Sequence, residues 1–332
     1  MAPGGKRIAE IVGAFPQAKV AVVGDFMADV YLEASPSRLS REAPVMVANW
    51  ENETVIPGGA ANAVNNLVAL GASVFPVGTI GEDGPGEMLS AFFASSCNNT
   101  SGIVSQSELS TVSKMRVMVG EEGRSKQQVL RIDKEPGRKP SDALRAEVLE
   151  RLESILPHVD AVLFSDYGYG LVDGAWPTRV RAHHPHLILT ADSRYALSDF
   201  KNVDLVTPNH SEAEFLIGSR VLDDKETTSA ARQLREQLGA RSVLVTRGNR
   251  GMLLDDGERV HLIAASGAVD EVTDVSGAGD TVISVATLAL VSGASPFEAA
   301  VLANDAAGVV VTKPGAATVS PEELLGRALH HS

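Results

Sequence analysis

The sequence predicts an α/β protein built around a mostly parallel sheet. Strand-like and helical segments alternate from about residue 140 onward, and this alternation is typical of β-α-β units. The 30 glycines, against nine Phe, four Tyr and two Trp, indicate many tight turns and a core of small aliphatic side chains. Hydrophobic residues make up 44% and charged residues 21% of the 332 residues, as is usual for a folded globular protein.

The first half of the chain starts the sheet but also departs from the alternation. The β-branched run 19–24 predicts a buried strand, 60–70 has the spacing of a helix, and 73–78 returns to strand. Strand-like pieces drawn from about 31–56 and 110–133 interrupt this order. We expect them to form a small sheet that covers a ligand crevice at the carboxyl ends of the parallel strands.

The second half follows the alternation closely. Helices are predicted at 141–155, 174–183, 211–217, 225–238, 278–292 and 296–312, and strands at 160–165, 187–192, 204–207 and 242–246. Parallel strands joined by helices carry helices on both faces of the sheet. With no repeat or long linker in the sequence, we expect a single domain over residues 1–332.

Charge and cysteine content exclude several classes of protein. The formal net charge of −13 disfavours binding to nucleic acid or to anionic lipid. Cys97 is the only cysteine, so neither an intrachain disulfide nor a cysteine-based zinc site can form. The sequence has no secretory signal and no run of about 18 apolar residues. We therefore expect a cytoplasmic protein that binds neither nucleic acid nor membrane.

The segment 274–293 carries the strongest chemical signal. Gly277, Ala278 and Gly279 are small enough for a ligand to approach the backbone, and an apolar helical run follows them. The amides at a helix N-terminus stabilise a phosphate or a developing oxyanion. Asp280 lies in the first turn, where a carboxylate can accept a proton from an attacking hydroxyl. Alternatively, Asp280 only complements the helix dipole and the glycines form a turn.

A second glycine-rich turn leads into a helix at residues 57–72. Gly58 and Gly59 leave backbone amides open to a polar ligand. Asn62 and Asn66 are one helical turn apart, so their amides share a face and are suited to bind sugar hydroxyls. The alternative is a plain turn with solvated Asn side chains.

Acidic residues follow two of the predicted strands. Asp25 and Asp29 come after the first strand and are either paired acceptors for vicinal hydroxyls or turn residues. Asn209 and Glu212, three residues apart, can reach one magnesium ion directly or through water. The same spacing also resembles a helix N-cap.

The segment 245–254 has the pattern of a strand, a glycine turn and a second strand. Thr246, Gly248 and Gly251 either line a nucleotide site or simply make a hairpin. The eight histidines show no metal-ligand spacing.

Considered together, these motifs resemble the ribokinase-like, or PfkB-type, carbohydrate kinases over roughly residues 18–325. The resemblance is carried by GDFMAD (24–29), PGGAANAVNNLVALG (57–71), TPNHSEAE (207–214), VTRGNRG (245–251) and DVSGAGDT (274–281). It implies a three-layer α/β/α domain with a small β-sheet lid and the use of ATP and Mg²⁺. It also implies that Asp280 is the catalytic base, and it allows K⁺ near Asp274.

A closer similarity is to the D-glycero-β-D-manno-heptose 7-phosphate kinases. It is carried by SRLSREAPVMV (37–47), KMRVMV (114–119), QVLRIDKE (128–135), SDYGYG (165–170) and ANDAAGVVVTKPGAATVSPEEL (303–324). This resemblance implies transfer of a phosphoryl group from ATP to heptose 7-phosphate. The product, heptose 1,7-bisphosphate, would serve ADP-heptose and lipopolysaccharide core synthesis. It assigns Arg116 and Asp166 to the sugar side and Asn304 to the ATP side. Many such kinases are fused to a nucleotidyltransferase, and we expect no second enzyme within these 332 residues.

Two positions depart from the heptose kinase pattern. Tyr169 stands where Lys is usual, and Arg194 replaces the Lys of a DPK-like segment. Lys114 and Arg38, with Arg116 and Arg194, are therefore candidates for an anionic substrate group, or else solvated cations. A kinase for another sugar or sugar acid, and a catalytically silent sugar- or nucleotide-binding protein, stay open as alternatives. Exposed lid edges predict a homodimer.

Overall fold

Two sheets organise the chain, for which the computed structural model describes residues 3–121, 123, 126–267 and 271–330. Positions 122, 124 and 125 of the predicted lid range lie outside the described residues. The strands are β1 (Lys19–Gly24), β2 (Phe26–Leu39), β3 (Met46–Gly59), β4 (Ser73–Gly81), β5 (Ile103–Gln106), β6 (Val112–Val119), β7 (Gln127–Lys134), β8 (Ala161–Asp166), β9 (Ile188–Ser193), β10 (Leu205–Val206), β11 (Ser242–Thr246), β12 (Met252–Asp255) and β13 (Val260–Ile263).

The large sheet has the order β13-β12-β11-β10-β9-β8-β1-β4-β5. Its strands run parallel from β11 through to β5, while β12 and β13 pair antiparallel at the other edge. The predicted glycine turn, with Gly248 and Gly251, connects β11 and β12 as an antiparallel hairpin. The expected mostly parallel sheet is therefore confirmed.

Helices cover both faces of this sheet. They are α1 (Gly5–Ala14), α2 (Ala60–Ala69), α3 (Gly84–Ser96), α4 (Asp142–Ile155), α5 (Trp176–His183), α6 (His210–Ile217), α7 (Asp224–Leu238), α8 (Ala278–Val291), α9 (Pro296–Val310) and α10 (Pro321–His330). Along β1, Val20 and Val22 join the core beneath α2, α8 and α9, whereas Ala21 and Val23 join the core beneath α4, α5 and α7. Side chains alternate across a strand, so β1 is apolar on both faces.

The small sheet has the order β3-β2-β6-β7 and forms the lid. β2 and β6 pair in parallel, and the outer pairs are antiparallel. β2 begins at Phe26, separated from the end of β1 by one residue, rather than near residue 31. Asp29 therefore lies on a lid strand instead of at the end of the large sheet. Every residue of β7 is exposed at the lid edge, and the homodimer stays a prediction.

Within the described parts of the chain, no helix has both the length and the apolar character needed to cross a bilayer.

Candidate active site

Two adjoining cavities lie at the carboxyl ends of the parallel strands. One, of about 490 Å³, has mostly polar and charged walls; we call it the polar cavity. The other, of about 480 Å³, has mostly apolar walls; we call it the apolar cavity. Thr246, Val275 and Gly279 line both. The N-terminus of α8 thus lies where the two cavities meet.

The turn into α8 is built for close approach by a ligand. Gly277 is the N-cap residue with φ of 75°, in the left-handed region. A Cβ on Gly277 would lie 2.5 Å from Asn62 Nδ2, so only glycine fits there without a shift. A Cβ on Gly279 would meet nothing nearer than Asp192 Oδ2 at 4.0 Å. The backbone around Gly279 is therefore open to the cavities, and Ala278 lines the apolar one.

Asp280 is held by two donors at the base of the polar cavity. Its side chain is buried, and Oδ2 accepts a hydrogen bond from Asn62 Nδ2 at 2.8 Å. Oδ1 accepts one from the Tyr167 hydroxyl at 2.7 Å. Burial raises the pKa of Asp280 to about 6, against the opposing effect of the hydrogen bonds from Asn62 and Tyr167. Each carboxylate oxygen has two lone pairs, so a substrate hydroxyl can still bind.

Asn62 is itself oriented by a buried chain of polar side chains. Thr281 Oγ1 donates to Asn66 Oδ1 at 2.8 Å, and Asn66 Nδ2 donates to the Asn62 carbonyl at 2.9 Å. Asn62 lines the polar cavity, whereas Asn66 is fully buried and is not among its lining residues. The position of Asn66 therefore suits support of Asn62 rather than direct contact with a ligand.

Asp25 likewise lies behind the cavity wall. Its Oδ2 accepts hydrogen bonds from the Tyr167 and Tyr169 amides at 2.9 and 3.3 Å. Burial, and then the charge of Asp166, raise the pKa of Asp25 to about 7. Asp25 and Tyr169 line a separate small cavity, while Asp166 lines the polar one. Asp25 thus fixes the loop that carries Tyr167.

The lid supplies the opposite wall of the polar cavity. Arg116 Nη1 donates to Asp29 Oδ1 at 2.6 Å, and the Arg116 guanidinium lies 5.2 Å from the Tyr31 ring centroid. Gly59 lines the cavity beside them, and a Cβ on Gly58 would lie 2.7 Å from Asp29 Oδ2. Gly58 therefore keeps space around Asp29, whereas a Cβ on Gly59 would lie 2.3 Å from Met27 Cε.

The four cations considered in the sequence separate into two groups. Lys114 and Arg194 line the polar cavity together with Arg116. Arg38 is exposed near the end of β2 and is not among the lining residues.

Asn209 and Glu212 form the helix N-cap that their spacing resembles, and their role at a magnesium ion stays a prediction. They form a capping box at α6, with Glu212 N donating to Asn209 Oδ1 and Asn209 N donating to Glu212 Oε2, each at 2.9 Å. Both residues also line the polar cavity. Beside them, burial and the negative charges of Glu212 and Asp280 hold the pKa of Asp192 well above its usual value.

This donor set fits a Mg²⁺ ion bound mainly by phosphates. Within the described ranges, no group of three or more His, Cys, Asp or Glu residues could hold a metal by itself. Mg²⁺ commonly takes one or two carboxylates and completes its shell with water and phosphate oxygens. A cation here would also stabilise the ionised form of Asp192, whose pKa is raised by burial and then by the charge of Glu212.

Asp274 stabilises the approach to α8. Its carboxylate accepts hydrogen bonds from Ser276 N at 2.9 Å and from Gly315 N at 3.0 Å. Burial raises the pKa of Asp274, but these hydrogen bonds outweigh it and hold the pKa below its usual value. A K⁺ ion near Asp274 stays a prediction.

The apolar cavity contains the remaining nucleotide-site candidates. Thr246, Gly248, Gly251 and Asn304 all line it. Asn304 Nδ2 donates to the Ala264 carbonyl at 2.9 Å, which ties α9 to the segment after β13. Small and apolar walls of this kind suit a flat nucleobase.

Sequence reasoning missed two side chains of the site. Tyr167 binds Asp280, yet it was quoted only within the segment SDYGYG. Asp192 lies near the carboxyl end of β9, as Asp25 follows β1, so the same argument from strand ends would have found it.

Comparison with known proteins gives a family model that matches part of the chain, curated relatives and structures of similar fold. A model described as pfkB family carbohydrate kinase matches residues 179–323. A protein named Bifunctional protein HldE from Desulfatibacillum aliphaticivorans is 38% identical over 320 residues, covering 94% of this chain and 63% of that protein. The protein of the same name from Coxiella burnetii (strain Dugway 5J108-111) is 38% identical over 322 residues, covering 96% of this chain and 65% of that protein. The chain thus spans less than two thirds of the length of these relatives.

Solved structures share the architecture at low sequence identity. Phosphofructokinase-2 from Escherichia coli in complex with potassium has a TM-score of 0.75 at 18% identity, covering 94% of this chain and 99% of that chain. Arabidopsis thaliana ribokinase complexed with ribose and ATP has a TM-score of 0.70 at 20% identity, covering 94% and 98%. The ribokinase-like fold expected from the motifs is therefore confirmed.

Proposed function

We propose that this chain, in which residues 179–323 match a pfkB family carbohydrate kinase model, transfers the γ-phosphate of ATP to a sugar hydroxyl. The acceptor we propose is heptose 7-phosphate, with heptose 1,7-bisphosphate as the product. The use of ATP supports the cytoplasm as its place of action.

The observation that carries this proposal is the position of Asp280 in the polar cavity, next in sequence to Gly279, which lines both cavities. The polar cavity offers hydrogen-bonding walls for a sugar, and the apolar cavity offers a site for adenosine. Gly279, which lines both cavities, lies in the first turn of α8, two residues after the N-cap residue Gly277. A γ-phosphate held at that helix terminus would face a sugar hydroxyl bound to Asp280, and phosphoryl transfer needs this in-line arrangement.

In the proposed mechanism Asp280 accepts the proton of the attacking hydroxyl. The sugar oxygen forms a bond to the γ-phosphorus while the bond to the oxygen bridging the β- and γ-phosphates breaks, and ADP leaves. Backbone amides at Gly277–Gly279 stabilise the charge on the phosphoryl oxygens. Asn209 and Glu212 would hold Mg²⁺, directly or through water, and the ion would offset negative charge on the phosphates.

Two observations support heptose 7-phosphate as the acceptor. The first is the similarity to relatives named Bifunctional protein HldE, of which this chain spans 63–65%. That share fits a kinase region within a larger protein with two functions. The second concerns Tyr169, which lines the small separate cavity and not the polar one. Its departure from the usual Lys therefore removes no cation from the polar cavity.

A substrate panel tests the proposal directly. ATP consumption would be measured with Mg²⁺ and heptose 7-phosphate, fructose phosphates, ribose, adenosine or ketodeoxygluconate. Turnover of heptose 7-phosphate well above the others is the expected result. Preference for another acceptor would support the proposed kinase activity but contradict heptose 7-phosphate as the acceptor. Ligand binding without any turnover would favour the silent binding protein.

The pH dependence of kcat/KM is expected to report the base. Because Asp280 must be ionised to accept a proton and its pKa is about 6, activity should rise with pH through about 6 and level off above pH 7. Tyr167→Phe removes a donor that stabilises the carboxylate, so the midpoint should move upward by about one pH unit.

The matched control for this shift is Tyr169→Phe. Tyr169 belongs to the same loop, and it donates its hydrogen bond to Asp25 from its backbone amide rather than from its hydroxyl. Its profile should coincide with that of the parent protein. An unshifted midpoint in Tyr167→Phe would disprove the assigned role of the hydroxyl.

A further inference from the structure

Three cationic side chains enter the polar cavity from two sides. Lys114 and Arg116 are alternate residues of β6, so both side chains lie on the same face of the lid. Arg194 directly follows β9 of the large sheet. All three line the cavity. Positive charge is therefore gathered between the lid and the sheet.

Among the described residues, one of these three cations has a close anionic partner. Arg116 is paired with Asp29 at 2.6 Å. Across the described ranges, neither Lys114 nor Arg194 takes part in an ion pair within 4.0 Å, the limit for such a contact. Lys114 Nζ instead lies 5.9 Å from the Tyr167 ring centroid, and the Arg194 guanidinium lies 5.5 Å from that of Tyr195. Such ring contacts orient a cation but do not neutralise it.

The surroundings of Lys114 lack a full counter-charge. Burial lowers the pKa of Lys114, and the positive charges of Arg194 and Arg116 lower it further. The charges of Asp29 and Asp133 act in the opposite direction but leave the pKa below its usual value. An anion bound between Lys114 and Arg194 would remove this repulsion.

The carboxyl groups of the polar cavity are engaged elsewhere. Asp280 accepts from Asn62 and Tyr167, and Asp166 accepts from Ser193 Oγ at 2.6 Å. Asp192 lines the same cavity but, among the described residues, forms no ion pair with Lys114 or Arg194. Glu212 is tied to the backbone of Asn209 in the capping box. Burial raises the pKa of Glu212, and the charge of Arg194 only partly opposes this effect. The positive charge of Lys114 and Arg194 is therefore left for a ligand.

We infer that Lys114 and Arg194 together bind the phosphate group of a phosphate monoester in the polar cavity. This inference rests on the proposed kinase function and identifies the side chains that would make a phosphorylated sugar the preferred acceptor. Two sources offer the same chemistry: the phosphate that the acceptor already carries, and the phosphoryl group in transfer. Hydrogen bonds between a cationic side chain and a phosphate dianion belong to the stronger class of hydrogen bonds. Removing either Lys114 or Arg194 should therefore have a measurable effect.

Steady-state kinetics of Lys114→Gln and Arg194→Gln separate the two sources. Both variants would be assayed with heptose 7-phosphate and with the same heptose lacking its phosphate. Arg145→Gln is the matched control, because it also removes one positive charge but lies on α4 and pairs there with Asp142. Thermal unfolding of each variant would check that the fold is retained.

If the acceptor phosphate is bound, KM for heptose 7-phosphate should rise about 10- to 100-fold in both variants, whereas KM for ATP and for the unphosphorylated sugar stays unchanged. If the transferred group is bound, kcat should fall by a similar factor with either acceptor. Kinetic constants within twofold of the parent protein in both variants, with heptose 7-phosphate turned over normally, would overturn the inference and leave the proposed function standing.

Binding of inorganic phosphate tests the site without any turnover. Titration calorimetry of the parent protein should detect phosphate binding that is lost in Lys114→Gln and Arg194→Gln and retained in Arg145→Gln. This result would support the phosphate site even if no sugar in the panel were phosphorylated, in which case only the proposed function would fail. Equal phosphate binding by the parent protein and both variants, or no binding by any of them, would overturn the site.

Discussion

Replacing Asp280 by Asn is expected to lower kcat by about 10²- to 10⁴-fold while the protein remains folded. The loss is expected because a neutral amide cannot take the proton of the sugar hydroxyl. The fold should persist because Asn has nearly the same shape and both hydrogen bonds can be replaced. Its amide oxygen can accept from Asn62 Nδ2, and its NH₂ group can donate to the Tyr167 hydroxyl, which is able to reverse its role.

The measurement is single-turnover phosphorylation of heptose 7-phosphate at saturating ATP, with ATP affinity and thermal unfolding recorded alongside. An unchanged affinity for ATP with the lost rate would locate the defect in the chemical step. A variant that turns over at more than about a tenth of the parent rate would contradict the assignment of Asp280 as the base.

Gly277→Ala is expected to lower kcat by about 100-fold through geometry alone. The added Cβ would lie 2.5 Å from Asn62 Nδ2 and 3.2 Å from the Ala316 Cβ, so Asn62 or the start of α8 must move. Either movement displaces Asp280 or the amides beside it, and a shift of about 1 Å is enough for such a loss. The left-handed φ of 75° adds a cost of about 1–2 kcal/mol to folding.

The chain offers a matched control at the other end of the same helix. Gly293, just beyond α8, has φ of 79°, and a Cβ there would meet nothing within 4 Å. Gly293→Ala should therefore show a similar loss of unfolding free energy with kcat near that of the parent protein. Equal kcat values for Gly277→Ala and Gly293→Ala would mean that contact with Asn62 does not set the active geometry.

The local sequence determined most of the large sheet and its helices. The predicted helix 225–238 is observed as Asp224–Leu238, and the predicted strand 242–246 as Ser242–Thr246. These boundaries depend on signals within a few residues, such as the Asp223 cap and the Gly239 stop of α7. The position of Asp280 in the first helical turn after Gly277 was predictable for the same reason.

Only the tertiary structure decided which polar side chains face the polar cavity. Asp25 and Asp192 both lie at the carboxyl ends of parallel strands, yet Asp25 lies behind the wall and Asp192 forms part of it. Asn62 and Asn66 share one helix face in sequence, but the packing of α8 against α2 buries Asn66 under Thr281. Contacts between residues 62, 167 and 280 join segments more than 100 positions apart, and local spacing carries no information on such distances. The sequence by itself thus determined the fold and the candidate base, while long-range packing determined the partners that hold the base in place.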